Sequence, residues 1–538
     1  MTAAPVIEIE GLSIALPRGA DRPWAVENVS LDVGPGEILC VVGESGSGKS
    51  VLASAIMGAL PRGLRRVKGG IRFLGEEITR LPERRLRALR GRHIAMIFQE
   101  PMASLNPAVR VGRQVEEVLT IHAPSLSAQA REARVLALLT EMQLPDPIAI
   151  SKRFPHEISG GQCQRIVIAM ALALGPALLI ADEPTTALDV TTQAQILRLI
   201  RALRDSHGQG VLFVTHDFGV VADIADRVAV MQRGLLVEIG PANAVLNRPQ
   251  HDYTKQLIAA VPSLRPRVRS VVHTPPALLL DGLTKSYGRV RAVDCVSFEV
   301  PQGGTVAIVG ESGSGKSTLA KAIIRLVEPD AGRVLVDDVD FAHIGARELM
   351  RRRRLVQMIF QDPHGSLNPN RTVGAVLVRA GVLGGLEREA AQARATELVG
   401  LVGLQPEALK RRPEAFSGGQ RQRIGIARAL AMRPAIVIAD ESVSALDVSV
   451  QKQVLELLDR LQVQAGLTLL FITHDLRVAA QIADRIAVMQ RGKMVEFGPA
   501  VQVLVTPEHP YTAELVAAAP GRSWRRDTAD RDDQFLVL

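Results

Sequence analysis

One series of short motifs occurs twice in this chain, in the same order and at nearly the same spacing. The first copy reads GESGSGKS at Gly43 to Ser50, IFQ ending at Gln99, SGGQ at Ser159 to Gln162, ADE at Ala181 to Glu183, and THD at Thr215 to Asp217. The second reads GESGSGKS at Gly310 to Ser317, IFQ ending at Gln361, SGGQ at Ser417 to Gln420, ADE at Ala439 to Glu441, and THD at Thr473 to Asp475. A period this long means a duplicated domain. From Ser159 to Glu183 and from Ser417 to Glu441 the interval is 24 residues, and from there to His216 and His474 it is 33 in both copies. Upstream the copies differ, 50 against 45 residues from lysine to glutamine and 60 against 56 from glutamine to SGGQ, so loops and a helical insert there absorb the change.

The 538 residues suffice for two domains of about 250 residues, each with its own core. We place the first at 1–262, a linker with three prolines at 263–276 with the boundary near 270, the second at 277–520, and a poorly ordered tail of mixed charge at 521–538. Cys40, Cys163 and Cys295 are far apart in sequence and suggest neither a disulfide framework nor a zinc site. The start MTAAPVIEIE lacks the features of a secretory signal, and no apolar run approaches the roughly 18 residues that cross a bilayer, so the chain is expected not to span a membrane. The net charge of +8 leaves nucleic acid or an anionic membrane face open as a neighbour. The basic runs at 80–92 and 351–354 read as solvated helix faces, because aromatic residues are only 3% and none interleave with the arginines.

Alternation of apolar and polar residues in IEIEGLSIAL, AVENVSLDV and RAVDCVSFEV predicts half-buried antiparallel strands. EILCVVG, ALLIADE and VLFVTHD, with TVAIVG, AIVIADE and LLFITHD in the second copy, are continuous apolar runs, as buried parallel strands are. Residues 127–142 and 387–402 are rich in helix formers and predict a small helical subdomain in each copy. The fold class is therefore α/β, two tandem P-loop domains, each with an antiparallel β subdomain and a helical subdomain.

A G-x-x-x-x-G-K-[ST] string between a buried strand and a helix start turns backbone N–H groups inward onto phosphate oxygens. Gly43, Glu44, Ser45, Gly46, Ser47, Gly48, Lys49 and Ser50 form the first such loop, and Gly310, Glu311, Ser312, Gly313, Ser314, Gly315, Lys316, Ser317 and Thr318 the second. Lys49 and Lys316 would reach the β- and γ-phosphates of ATP, and Ser50 and Ser317 would hold Mg²⁺. Asp182 and Asp440 end apolar strands, where a carboxylate can face that metal. Glu183 and Glu441 follow as candidate general bases. Gln99 and Gln361 lie after apolar strands, with His216 and His474 closing others; each could touch the attacking water or γ-phosphate, and the glutamines also the metal.

This constellation resembles the ATP-binding cassette family over nearly the whole chain. The diagnostic element is its signature, present as ISGGQCQR (158–165) and FSGGQRQR (416–423). The resemblance implies that two cassettes stack head to tail, with Ser159, Gly160, Gly161 and Gln162 serving the nucleotide on Lys316, and Ser417, Gly418, Gly419 and Gln420 the one on Lys49. It assigns TTALD (185–189) and VSALD (443–447) to D-loops ending at Asp189 and Asp447, and implies two competent sites. An aromatic residue usually stacks on adenine; Tyr287 fits in the second copy, whereas the first offers Leu16 or a displaced Trp24.

Within the family, SLNP after the glutamine (104–107 and 366–369) and the PQHDYT (249–254) and PEHPYT (507–512) segments look like the peptide, nickel and glutathione importers. That likeness implies two membrane-spanning permease subunits, an extracytoplasmic substrate-binding protein, and a peripheral position on the cytoplasmic face of the bacterial inner membrane. His251, Tyr253, His509 and Tyr511 read as packing residues. A soluble tandem cassette acting on ribosomes or nucleic acid is the alternative, and the short linker speaks against it.

Overall fold

The computed structural model describes residues 4–185, 188–267, 274–360, 363–443 and 446–524. Gln361, the inner linker 268–273 that holds the expected boundary near 270, and most of the expected tail, 525–538, lie outside the described residues. The chain divides into two compact units. The first runs to Val261 and takes back the residues from Pro520; the second spans Pro262–Ala519 together with Asp189–Thr191.

Each unit holds the two predicted sheets. In the first, Trp24–Val33, Ile7–Ala15, Arg65–Phe73 and Glu76–Glu77 form an antiparallel sheet in that order. A six-stranded sheet runs Leu235–Pro241, Arg227–Gln232, Ile38–Val42, Gly210–Thr215, Leu178–Asp182, Ile94–Ile97. It is parallel except at its Leu235–Pro241 edge. In the second unit, Val290–Pro301, Pro276–Tyr287, Ala331–Val336 and Val339–Asp340 repeat the small sheet. Val356–Ile359, Ile436–Asp440, Thr468–Ile472, Thr305–Val309, Arg485–Gln490 and Lys493–Pro499 repeat the large one.

All five residues of Ile38–Val42 and of Thr305–Val309 are buried, as a strand covered on both faces requires. One face of the first, Leu39 and Val41, joins Ile7, Ile9 and Leu12 of the small sheet and Leu52 of the following helix in one core. Each such fully buried aliphatic side chain stabilises by about 1.5–3 kcal/mol. The predicted helical inserts form as Ala128–Glu141, opened by a Ser127 hydroxyl that accepts from Ala130 N–H, and as Arg388–Leu401.

The basic runs are not purely solvated faces. Arg90 donates from Nε to Met57 O at 2.7 Å, and Arg353 from Nη2 to Arg325 O at 2.7 Å. Both thereby satisfy carbonyls at the C-terminal end of the helix that follows the nucleotide loop, a place where cations also complement the helix dipole. Of the expected tail, Gly521–Trp524 is described and bonded: Gly521 N–H donates to Asp223 at 3.1 Å and Trp524 Nε1 to Asn247 Oδ1 at 2.9 Å.

Candidate nucleotide sites

The loop after the first buried strand turns at Gly43, whose φ of +151° and whose missing Cβ, which would lie 2.2 Å from Met231 O, admit only glycine. Gly310 repeats this at +149° against Met489 O. Left-handed Gly48 and Gly315 then open the helices Lys49–Ile56 and Lys316–Ile323, and neither helix start has a side-chain cap. A helix start of this kind suits an anion. Ser45 and Gly46, like Ser312 and Gly313, stand exposed at the crest. Thr318 is half-buried in the first helical turn.

Lys49 Nζ donates to the carbonyls of Gly43 (2.7 Å) and Glu44 (2.9 Å), and Lys316 Nζ to those of Gly310 and Glu311, both at 2.7 Å. Burial lowers the Lys316 pKa, against the pull of Glu441 and Asp440. Ser47 Oγ is buried with no hydrogen-bond partner among the described residues. An uncapped helix start, an inward ammonium and an orphaned hydroxyl together fit the phosphates of ATP.

Ser50 Oγ donates to Asp182 Oδ1 at 3.0 Å and Ser317 Oγ to Asp440 Oδ1 at 3.1 Å. Burial raises the pKa of both aspartates, and the serine hydrogen bonds oppose it. No group of three His, Cys, Asp or Glu poised for a metal occurs among the described residues. A hydroxyl and one carboxylate beside a phosphate cradle suit Mg²⁺, which takes its remaining ligands from phosphate and water.

Glu183 and Glu441 adopt left-handed backbone at φ +47° and +44°, a costly state for a residue with a side chain. Their N–H groups donate to Val214 O and Ile472 O, both at 2.9 Å, which ties them to the neighbouring parallel strand. Gln99 Nε2 donates to Glu183 Oε2 at 3.0 Å, and His216 Nδ1 lies 3.3 Å from Oε1. His474 Nδ1 is 3.6 Å from Glu441 Oε1. Burial disfavours a charged His216, yet the carboxylates of Glu183 and Asp217 together more than offset it and the pKa lies above the ordinary value. His474 in turn holds the Glu441 carboxyl below its usual range.

The SGGQ motifs open the helices Gly160–Leu172 and Gly418–Ala431. Ser159 Oγ accepts from Gln162 N–H (3.3 Å) and Gln162 Oε1 from Ser159 N–H (3.0 Å), a reciprocal capping box that Ser417 and Gln420 repeat. Gln162 and Gln420 therefore use their side chains within the motif. A Cβ on Gly160 or Gly418 would meet nothing, whereas one on Gly161 would lie 2.6 Å from Thr192 and one on Gly419 2.9 Å from Val450.

Tyr287 ends a strand with its ring half exposed and Lys285 Nζ 5.8 Å from the ring centroid. In the first unit Leu16 leans on the core, and Trp24 is paired across the sheet with Ala15. Sequence reasoning missed one connection. Tyr253 and Tyr511 are buried, as packing residues are, but each hydroxyl also accepts from a nucleotide-loop N–H, that of Glu44 at 3.2 Å and of Glu311 at 3.1 Å. His251 and His509 cap helices, their Nδ1 atoms accepting from the tyrosine N–H groups. The recurrence of H-x-Y-T in both copies was the available signal.

The family described as ABC transporter matches residues 26–186 and 293–444. The oligopeptide/dipeptide transporter C-terminal region matches 237–279 and 495–533. A glutathione import ATP-binding protein of Salmonella choleraesuis is 44% identical over 558 residues, covering 96% of this chain and 89% of that protein. Its Escherichia coli namesake is 44% identical, covering 97% and 90%. A peptidoglycan transport ATP-binding protein of Agrobacterium fabrum is 45% identical, covering 96% of both. With both nucleotide loops, both strand-end glutamates and both C-terminal extensions in place, the chain belongs to the ABC transporter ATPases, as an ATP-hydrolysing subunit that carries two cassettes in one polypeptide.

Proposed function

We propose that this chain drives uptake of small peptides, in the range from glutathione to oligopeptides, through two membrane-spanning permease subunits fed by an extracytoplasmic substrate-binding protein. It works at the cytoplasmic face of the bacterial inner membrane; no described helix is long and apolar enough to cross a membrane. The full-length likeness to import ATPases and the extension matched in each cassette support this reading.

The observation that carries the hydrolytic part is the position of Glu183: strained backbone at a strand end, Gln99 on one carboxylate oxygen and His216 on the other. Glu183 and Glu441 take the proton of the attacking water, with Gln99, Gln361, His216 and His474 orienting water and γ-phosphate. Lys49 and Lys316 neutralise phosphate charge, and Ser50, Asp182, Ser317 and Asp440 would hold Mg²⁺, which when bound would supply further charge neutralisation. The signature residues Ser159, Gly160, Gly161, Ser417, Gly418 and Gly419 supply further N–H groups to the nucleotides, and Tyr287 stacks on adenine.

Gentle detergent extraction from the native host, followed by mass spectrometry, tests the transport reading. Two multi-span membrane proteins are expected to co-purify, and uptake of labelled peptides is expected to stop when Glu183 and Glu441 are changed to Gln. Ribosomal proteins in their place would end it.

A further inference from the structure

The C-terminal extension of each cassette touches the nucleotide loop, by the same atoms in both units. Glu44 N–H donates to Tyr253 OH across 209 residues of sequence, and Glu311 N–H to Tyr511 OH across 200. The same two residues present their carbonyl oxygens to the loop lysines, Glu44 to Lys49 at 2.9 Å and Glu311 to Lys316 at 2.7 Å. One residue thus has its N–H fixed by the extension and its C=O fixed on the ammonium that serves the phosphates.

The tyrosines are themselves held from behind. His251 Nδ1 accepts from Tyr253 N–H and His509 Nδ1 from Tyr511 N–H, both at 3.2 Å. Glu238, on the edge strand, accepts from Gln250 N–H (2.8 Å) and His251 N–H (3.1 Å). Glu496 does the same for Glu508 N–H (3.0 Å) and His509 N–H (3.1 Å). A phenylalanine would fill the space beneath the ring equally well. The hydroxyl is the part that a packing role leaves unexplained, and a loop N–H in part-buried surroundings needs an acceptor. Burial pushes the Tyr511 pKa up to about 12, so the phenol there stays neutral.

We propose that Tyr253 and Tyr511 are positioning residues of the two nucleotide sites: through Glu44 and Glu311 they hold each loop in its phosphate-binding shape, with the lysine poised, before ATP arrives. The extension thereby contributes to nucleotide affinity without touching nucleotide. A loop ordered beforehand spends less of its binding free energy on ordering. The inference requires only that the loops bind ATP and stands whatever the importer carries.

The full-length chain with Tyr253→Phe, Tyr511→Phe or both tests it, by ATP affinity, by steady-state kinetics and by amide hydrogen exchange. Loss of one hydrogen bond of ordinary strength is expected to weaken ATP binding at that site by roughly 3–10-fold and to raise KM accordingly. Turnover at saturating ATP should stay within about twofold, since nothing made only in the transition state is removed. Each single variant should speed exchange only in its own loop, 43–50 or 310–317, while the helices Asp252–Ala260 and Pro510–Ala518 keep their protection. Unchanged affinity with unchanged loop exchange overturns the proposal. So does loosening that spreads through the extension helix with kcat and affinity falling together, which is the mark of packing alone. If the phenylalanine variants fold poorly, His251→Ala and His509→Ala loosen the tyrosine from behind; faster loop exchange is expected there, and none would overturn the idea. Wild-type ATP binding, measured alongside, keeps a failure of the ATPase reading distinct.

Discussion

The two candidate nucleotide sites agree at the loop lysine, the serine, the strand-end aspartate and the glutamate after it, and differ in the strand connection beside the loop. Both park the loop lysine on the carbonyls of the first two loop residues, and both set a serine hydroxyl about 3 Å from the strand-end aspartate. Both also hold the following glutamate in left-handed backbone with a histidine beside it. At the edge they part. Strands of the second unit are joined by a tight turn after Tyr287, whereas residues 16–23 make a longer connection in the first. From that connection Arg22 donates to the carbonyl of Gly46 in the nucleotide loop. The orphaned Ser47 hydroxyl also contrasts with Ser314, whose Oγ accepts from Lys316 Nζ at 3.3 Å. Phosphoryl transfer needs charges at fixed points, so its residues tolerate little drift. Base stacking adds affinity from any flat or apolar surface, so that edge can diverge.

The largest effect should fall on the shared part. Glu183→Gln and Glu441→Gln together are expected to lower ATP turnover by about 10²–10⁴-fold, the usual worth of a general base, with ATP binding retained. Steady-state hydrolysis beside equilibrium nucleotide binding measures both; the single variants reveal whether the two sites turn over equally. Next comes the divergent edge. Tyr287→Ala should weaken ATP binding at the second site by roughly 5- to 150-fold, the range of 1–3 kcal/mol for a stacked base, and Leu16→Ala should change the first site less. Equal losses would erase the contrast.

A pH titration sharpens it further. Removing the Glu183 carboxylate leaves only Asp217 to oppose burial and Lys49 at His216, so Glu183→Gln should lower the His216 midpoint, read by NMR, from its position above the ordinary value of about 6.5. Because the folded pKa is the higher one, the His216–Glu183 pair stabilises fully below about pH 6.5 and loses that contribution as pH rises through the folded pKa. Glu441 runs the other way: its pKa is lowered, so its contribution is present above its unfolded value and fades as pH falls through the folded one. The smallest effect belongs to Thr254 and Thr512, fully buried with hydroxyls that find no partner among the described residues. Thr254→Val and Thr512→Val should leave the melting temperature unchanged or raise it by a few degrees, since an unsatisfied buried hydroxyl costs about 1–3 kcal/mol. A clear drop in calorimetry would show the hydroxyls to be bonded.

Much of this was legible from residue order. Period-two alternation marked Ile7–Ala15 as half-buried, and the apolar run at 38–42 marked a strand covered on both faces. Glycine at 43, 46 and 48 announced a loop that only glycine can make. The arginine runs misled in part, because composition registers charge and not the carbonyls that Arg90 and Arg353 cap from 33 and 28 residues away. The tyrosines of the extension were legible as buried rings and illegible as loop partners, since burial follows from local pattern and a partner 209 residues away does not.

The sequence by itself determined the duplication, the order of strands and helices, and the residue types along each nucleotide loop, strand end and signature helix start. These rest on local rules: the side-chain period, the conformations glycine alone adopts, and the spacing of a motif along one strand and its turn. Tertiary structure decided what no local rule reaches. Parallel pairing of Leu178–Asp182 with Gly210–Thr215 carries the ends of both strands to one edge of the sheet. That edge is where Glu183 is strained and meets Gln99 and His216. Packing of the last helix then sets a tyrosine hydroxyl on the nucleotide loop. Contacts between residues this far apart in sequence form only when the whole sheet is in register and the core beneath it is filled.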